Sequence, residues 1–205
     1  MMNIFKNKIR RFVYYQKVEI LTFDTSEENR EFKIKIPLQF SHASLAEIEE
    51  LNRNHVWDLS LHPWEFLKEK RESGSWKFLV AKSEEKIAAH ACYSCNEMEI
   101  IGSKKIEFDL PPHAAYIFRM FTHPEFRGLQ IHRQLDNFRL KEVKKSGAAI
   151  AFTAVNSTNI FSLNSCLKMG ATVIGSVTFI KTKFFNKSFA SKSLHKTGLK
   201  IKTIS

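Results

Sequence analysis

The chain has 205 residues, 43% of them hydrophobic and 26% charged, with no long biased tract; that excludes intrinsic disorder and argues for one folded domain with a sizeable core rather than two. Its formal charge of +11 is uneven: residues 1–17 carry +5, residues 18–142 carry −4 and residues 143–205 carry +10, no acid following Glu142. Such a field suits polyanions, whether phosphorylated cofactors, acidic carrier proteins, nucleic acid or an anionic membrane surface, and does not choose among them.

The opening MMNIFKNKIRRFVYY lacks a signal peptide's apolar segment, and no stretch reaches the run of about 18 apolar residues that a membrane span needs, so a cytoplasmic location is expected. Residues 18–24 and 32–38 alternate apolar and polar side chains around SEENR, which predicts a β-hairpin. Ser41 is the expected cap of a helix carrying Leu45, Ile48 and Leu51 at helical spacing. A second helix runs from about Pro63 to Glu72 and ends at an SGS turn.

KFLVAKS (77–83) and KIAAHACYS (86–94) read as a hairpin, and residues 96–108 as a further strand, turned at Gly102–Ser103. After Pro111–Pro112 comes AAYIFRMFT (114–122), nearly continuous in apolar residues, the texture of a central strand covered on both faces. Residues 128–146 are helical, with Ile131, Leu135, Phe138 and Val143 on one side and Gly147 as the stop. AAIAFTAV (148–155) then predicts a buried strand parallel to 114–122 through a right-handed crossover. A helix over 156–170 and a long strand over 171–185 follow.

The cysteines are Cys92, Cys95 and Cys166, an odd number that points to reduced thiols. Cys92 and Cys95 form a CxxC without a second pair, and residues three apart on a strand face opposite ways, so no metal site is expected. The informative stretch is FTHPEFRGLQIHRQL (121–135), a strand-to-helix turn with one glycine. The first N–H groups of a helix point outward at such a turn and favour an anion.

This order of signals resembles the GNAT N-acetyltransferase superfamily. That family shows a strand ending near V-x-P, an [R/Q]-x-x-G-x-[G/A] loop opening a helix, a parallel strand, and then N-x-x-[S/A]-x-x-x-Y running to K-x-G. Here the strand ends at Thr122 with Pro124 after it, the loop is Arg127-Gly128-Leu129-Gln130-Ile131-His132, and the second motif is Asn159, Ser162, Cys166, Lys168 and Gly170. Gln130 and His132 stand where the family has Gly and Gly or Ala, and Cys166 where it often has Tyr.

The resemblance implies a mixed, mostly antiparallel α/β sheet with a splayed parallel pair and helices on both faces. It further implies an acyltransferase domain over 31–185, with an N-terminal extension over 1–30 (a basic segment plus an extra strand) and a basic C-terminal tail over 186–205. Acetyl-CoA or another acyl-CoA would be the co-substrate, with no metal. Phe121, Thr122, the loop residues Arg127 to His132, Asn159 and Ser162 would bind it, the loop holding the pyrophosphate. Cys166 would protonate the leaving thiolate. On the strand before the loop, counting back by twos from Thr122 puts Met120, Phe118 and Tyr116 on one face, with Arg119 on the other; Tyr116 is the candidate on the acceptor side.

The acceptor implied is a small-molecule amine such as an amino sugar or amino acid. Two alternatives stand beside it: an N-acyl synthase taking a long acyl chain from an acyl carrier protein, and a non-catalytic acyl-CoA-binding module. The basic tail FNKSFASKSLHKTGLKIK adds a peripheral contact with an anionic membrane to the readings; no recognition motif supports a specific nucleic acid. Nothing in the sequence sets an oligomeric state.

Overall fold

Period-two alternation and helical stripes explain most of the architecture in a computed structural model of the chain, which describes residues 13–26, 36–54, 59 and 62–204. In chain order the elements are β1 (Val13–Asp24), β2 (Gln39–His42), α1 (Leu45–Arg53), α2 (Trp64–Glu72), β3 (Lys77–Ser83), β4 (Lys86–Ser94), β5 (Met98–Ile101), β6 (Lys105–Asp109), β7 (Ala114–Thr122), α3 (Ile131–Lys145), β8 (Ile150–Asn156), α4 (Ile160–Lys168), β9 (Thr172–Thr182), β10 (Asn186–Ala190) and β11 (Lys200–Ile204). Short 3-10 turns lie at Pro124–Phe126 and Lys192–Lys196. The sheets are mixed and mostly antiparallel, with β7 and β8 as a parallel pair. The chain divides into two units, one taking in the described residues up to Phe23 with Glu97–Pro111 and Phe152 onward, the other Asp24–Asn96 and Pro112–Ala151.

The second unit carries the strand order β7-β4-β3-β2, and the start of β8 is fastened beside β7 where Ala149 N and Ile150 N both donate to His113 O (2.7 and 3.4 Å). Its strands are buried on both faces. Phe78, Val80 and Cys92 pack with Ile48 and Leu51 of α1, Leu67 of α2 and Trp76. The alternate residues Leu79, Ala81, Ala89 and Ala91 are fully buried toward the other face, where α3 packs on β3, β4 and β7. Alanines there let the helix approach closely. The expected hairpin 77–83/86–94 and the strand 114–122 are found at those bounds.

Helix α1 is capped by Ser44, not Ser41, which lies within β2. Ser44 Oγ accepts from Glu47 N (3.2 Å) while Ser44 N donates to Glu47 Oε2 (2.7 Å), a reciprocal capping box whose Glu three residues on is the signal that distinguishes the two serines. The predicted partner of residues 18–24 is also corrected. β1 pairs antiparallel with β9, from Val13↔Thr182 to Thr22↔Thr172; residues 36–38 form no strand, and 32–35 lie outside the described residues.

The first unit has one sheet in the order β10-β9-β1-β8 and a three-stranded sheet β11-β6-β5. Residues 96–108 are indeed two strands turned at Gly102, whose backbone sits so close to the buried Phe179 ring that an added Cβ would lie 2.6 Å from it. Residues 186–204, the basic tail, are folded: β10 extends β9 and β11 pairs with β6.

Candidate functional site

The geometry of the second unit turns on an irregularity in β7. Phe118 lies opposite Cys92 and Phe121 opposite His90, so two residues, Arg119 and Met120, face the single Ala91. This is a β-bulge, and Arg119 takes the left-handed conformation there (φ +50°). An L-residue in that region costs about 1–2 kcal/mol, so the surroundings must hold it. They do so through Arg139 of α3, a guanidinium 4% exposed that donates to Phe118 O (3.0 Å) and Cys92 O (3.2 Å) and pairs with the buried Asp136. The bulge interrupts the ladder, and the arginine supplies donors to the carbonyls beside the interruption.

The bulge also breaks the period-two count. Phe121, rather than Met120, shares the face of Phe118, since both lie opposite same-face residues of β4, and Tyr116 stacks on Phe118 (4.9 Å between centroids). Arg119, expected on the far side, lies instead over Trp76 (5.3 Å), the same indole that Phe118 meets edge-on (4.8 Å), and donates to His62 Nε2. No alternation rule reveals a bulge before the register is known.

His90 stands opposite Phe121 and stacks on it (5.7 Å). Only 2% of it is exposed, and neither ring nitrogen has a partner among the described residues. Burial first, then the nearby His123 and Arg119, lower its pKa from 6.5 to about 3, so it is a neutral imidazole. In the sequence His90 figures only as a histidine near Cys92 and Cys95 that completes no zinc set; its signal is a lone histidine amid the small residues of AAHAC.

Beyond Thr122 the chain makes one 3-10 turn, with Phe126 N on His123 O (3.0 Å) and Arg127 N on Pro124 O (3.3 Å). Arg127 folds back, its Nε reaching Thr122 O (3.4 Å) and its guanidinium lying over Phe121 (5.9 Å). Gly128 and Gln130 are both left-handed (φ +79° and +63°), and helix α3 begins at Ile131, three residues after the glycine at which it was expected to open. The first N–H of α3 to find a main-chain acceptor is that of Arg133, on Gln130 O (3.1 Å). The N–H groups of Ile131 and His132 therefore face out of the helix start.

That start suits an anion. A helix of 15 residues brings its dipole to bear, no acid sits in its first turn, and Arg127 and His132 stand at the loop. Among the described residues nothing beyond its chain neighbours lies within 4 Å of where a Gly128 Cβ would be, and Gln130 is exposed, so the loop is open on that side. His132 is one-third exposed and turns its Nδ1 toward Asp136 Oδ2 (3.6 Å), linking the loop to the buried Asp136–Arg139 pair behind the bulge.

The structure thus places Tyr116, Phe121, Thr122 and the loop residues Arg127, Gly128, Leu129, Gln130, Ile131 and His132 on one strand–turn–helix path in the second unit. The remaining candidates lie on the first unit's α4. Asn159 is its N-cap, with Oδ1 accepting from Ser162 N (3.1 Å), and Cys166 is a buried cysteine about two turns further along the helix. Among the described residues no group of three or more His, Cys, Asp and Glu side chains is placed to hold a metal, and no helix is long and apolar enough to cross a membrane.

The model of the acetyltransferase (GNAT) family matches residues 42–171. Among solved structures, a protein from Novosphingobium aromaticivorans described as a GNAT-family acetyltransferase is 11% identical (TM-score 0.55), over 87% of this chain and 66% of that one. A GCN5-related N-acetyltransferase from Sphaerobacter thermophilus is 10% identical (TM-score 0.55), over 89% and 56%. A protein of unknown function from Staphylococcus epidermidis is 13% identical (TM-score 0.52), over 86% and 65%. This chain therefore spans between about half and two-thirds of their lengths, and at such identity they show the fold. No curated protein matches the sequence.

Proposed function

Because the chain belongs to the acetyltransferase (GNAT) family, we propose that it is an acyl-CoA-dependent N-acyltransferase whose acceptor is the amine of a small molecule such as an amino sugar or amino acid. The observation that carries the reading is the conformation of the turn 127–131. Where the family motif calls for a glycine this chain has Gln130, yet Gln130 adopts the left-handed backbone that a glycine there would supply. A polar residue held at that cost keeps the N–H groups at the start of α3 aimed outward, the arrangement that receives a diphosphate.

In this reading Phe121 and Thr122 flank the acyl-pantetheine at the end of β7, and the loop from Arg127 to His132 grips the phosphates. Asn159 keeps its side-chain N–H₂ available to an amide of the arm while its oxygen caps α4. The amine nitrogen attacks the thioester carbonyl, the C–N bond forms, the C–S bond breaks, and the amine proton leaves to a base or water. Tyr116 is assigned to the acceptor side and Cys166 to protonating the leaving thiolate. A titration of acetyl-CoA read as a rise in melting temperature, with acetylated amine detected by mass across a panel of amines, tests the whole. The absence of both at millimolar acetyl-CoA would overturn it.

A second reading draws on Gln130 and His132 themselves. Their side chains crowd a diphosphate more than glycines would, and a carrier-protein donor presents a single phosphate. Faster turnover with an acyl carrier protein than with acyl-CoA would select it. A thermal shift without product from any amine would instead leave an acyl-CoA-binding module.

A further inference from the structure

The first unit carries a surface that acyl transfer does not use. Strands β9 and β10 meet in a turn at Thr182–Phe185, closed by Thr182 N on Phe185 O (2.7 Å) and by the Thr182 hydroxyl, which accepts from the N–H groups of Phe184 and Phe185 (3.1 Å each). A turn pinned by three hydrogen bonds thus holds Phe184 out in solvent, 89% exposed. Lys181, Lys183 and Lys187 flank it and are exposed as well.

The register extends this end of the hairpin into a face. Ile180 lies opposite both Lys187 and Tyr15, and Thr178 opposite both Phe189 and Lys17. Tyr15, Phe189 and Phe185 are 63%, 53% and 46% exposed, so rings and lysines alternate along the turn and β10 (Phe185, Lys187, Phe189) and along β1 (Tyr15, Lys17), with Ile180 and Thr178 of β9 between them. The acid on this face is Glu19, already paired with Lys17 (2.7 Å). Rings of this size left in water at a pinned turn are an apolar patch with a cationic rim.

We propose that this face docks on an anionic lipid bilayer, with Phe184 and Phe185 entering the headgroup–acyl boundary and Lys187 of the face, together with Lys183 of the turn, meeting the anionic headgroups. The exposed rings decide the occupant. A nucleic-acid duplex offers phosphates to the lysines but no apolar layer for rings held at the tip of a turn, whereas the amphipathic interface of a membrane takes both halves of the patch, aromatics at headgroup level and lysines against the surface charge.

The test is flotation of the full chain with vesicles of phosphatidylcholine alone or containing about 30% phosphatidylglycerol, at low and high salt. The chain is expected to float with the anionic vesicles and to lose most of that binding as salt rises. The double variant Phe184→Ser/Phe185→Ser, unchanged in charge, is expected to bind at least about tenfold more weakly. A Phe184→Trp variant should show blue-shifted emission on adding anionic vesicles, which reads insertion without removing the ring. Equal binding by the double variant, no blue shift, or retention on heparin or an acidic carrier protein in place of the vesicles would overturn the proposal.

Discussion

A buried imidazole without hydrogen bonds titrates the fold itself, and His90 offers a measurable case. In the native state burial keeps it neutral down to about pH 3, while in the unfolded chain it protonates near 6.5. Between those values the unfolded state binds the extra proton, so stability rises with pH across the window and falls as pH drops below about 6.5. At about pH 5 the loss is roughly 1.5 units at about 1.4 kcal/mol each, or about 2 kcal/mol, a large share of the 5–15 kcal/mol typical of a domain.

The perturbation is His90→Leu, which removes the titration and stays near the imidazole in volume. Urea unfolding of both proteins at about pH 7.5 and pH 5 should show wild type losing about 2 kcal/mol more than the variant on acidification. Other groups, such as Glu142, cancel in the difference: burial raises its pKa, hydrogen bonds from Lys145 and His42 more than offset that, and it is present in both proteins. Profiles that run parallel to within about 0.5 kcal/mol would refute the reasoning, since His90 would then have to be solvated or paired.

Replacing Arg139 with Leu strands the buried Asp136 carboxylate and two carbonyls beside the bulge; a loss of about 3–5 kcal/mol in urea unfolding is expected, and restoring part of it with Asp136→Leu in addition would confirm the cause. Gln130→Gly trades about 1–2 kcal/mol of left-handed strain against about 0.5–1 kcal/mol of chain entropy, so stability should hold or rise slightly while acetyl-CoA affinity, read by calorimetry, increases. Gly102→Ala pushes a Cβ to within 2.6 Å of the Phe179 ring, and thermal unfolding should register a loss of about 1–3 kcal/mol.

Much of the fold was legible because it rests on local rules. The hairpin 77–83/86–94 is two apolar runs about a short turn at Glu84–Glu85, and 114–122 is apolar enough to be buried on both faces. Those signals reside within a few residues. The partner of β1 does not: its neighbour β9 lies some 150 residues away in sequence, and a polar SEENR between two alternating stretches imitates a hairpin. Ser41 and Ser44 are separated by the glutamate at 47 rather than by anything in the serines themselves.

The site divides in the same way. The strand–turn–helix path from Tyr116 to His132 could be read from its order, whereas the bulge at Arg119 could not, because two residues facing one is a property of a pair of strands. Its support is likewise invisible to an apolar stripe. Ile131, Leu135, Phe138 and Val143 do share one side of the helix, Phe138 stacking on Phe40, but the interior also takes Asp136 and Arg139, whose charges are tolerated because each satisfies the other and the guanidinium answers the carbonyls of Phe118 and Cys92. The motif shows the limit most sharply. A pattern that asks for glycine at 130 scores this chain as a mismatch, but the chemistry asks for a positive φ, and Gln130 provides it. What the missing glycine changes is the side chain standing beside the cradle, so its consequence belongs in the affinity for a phosphate ligand rather than in the path of the backbone.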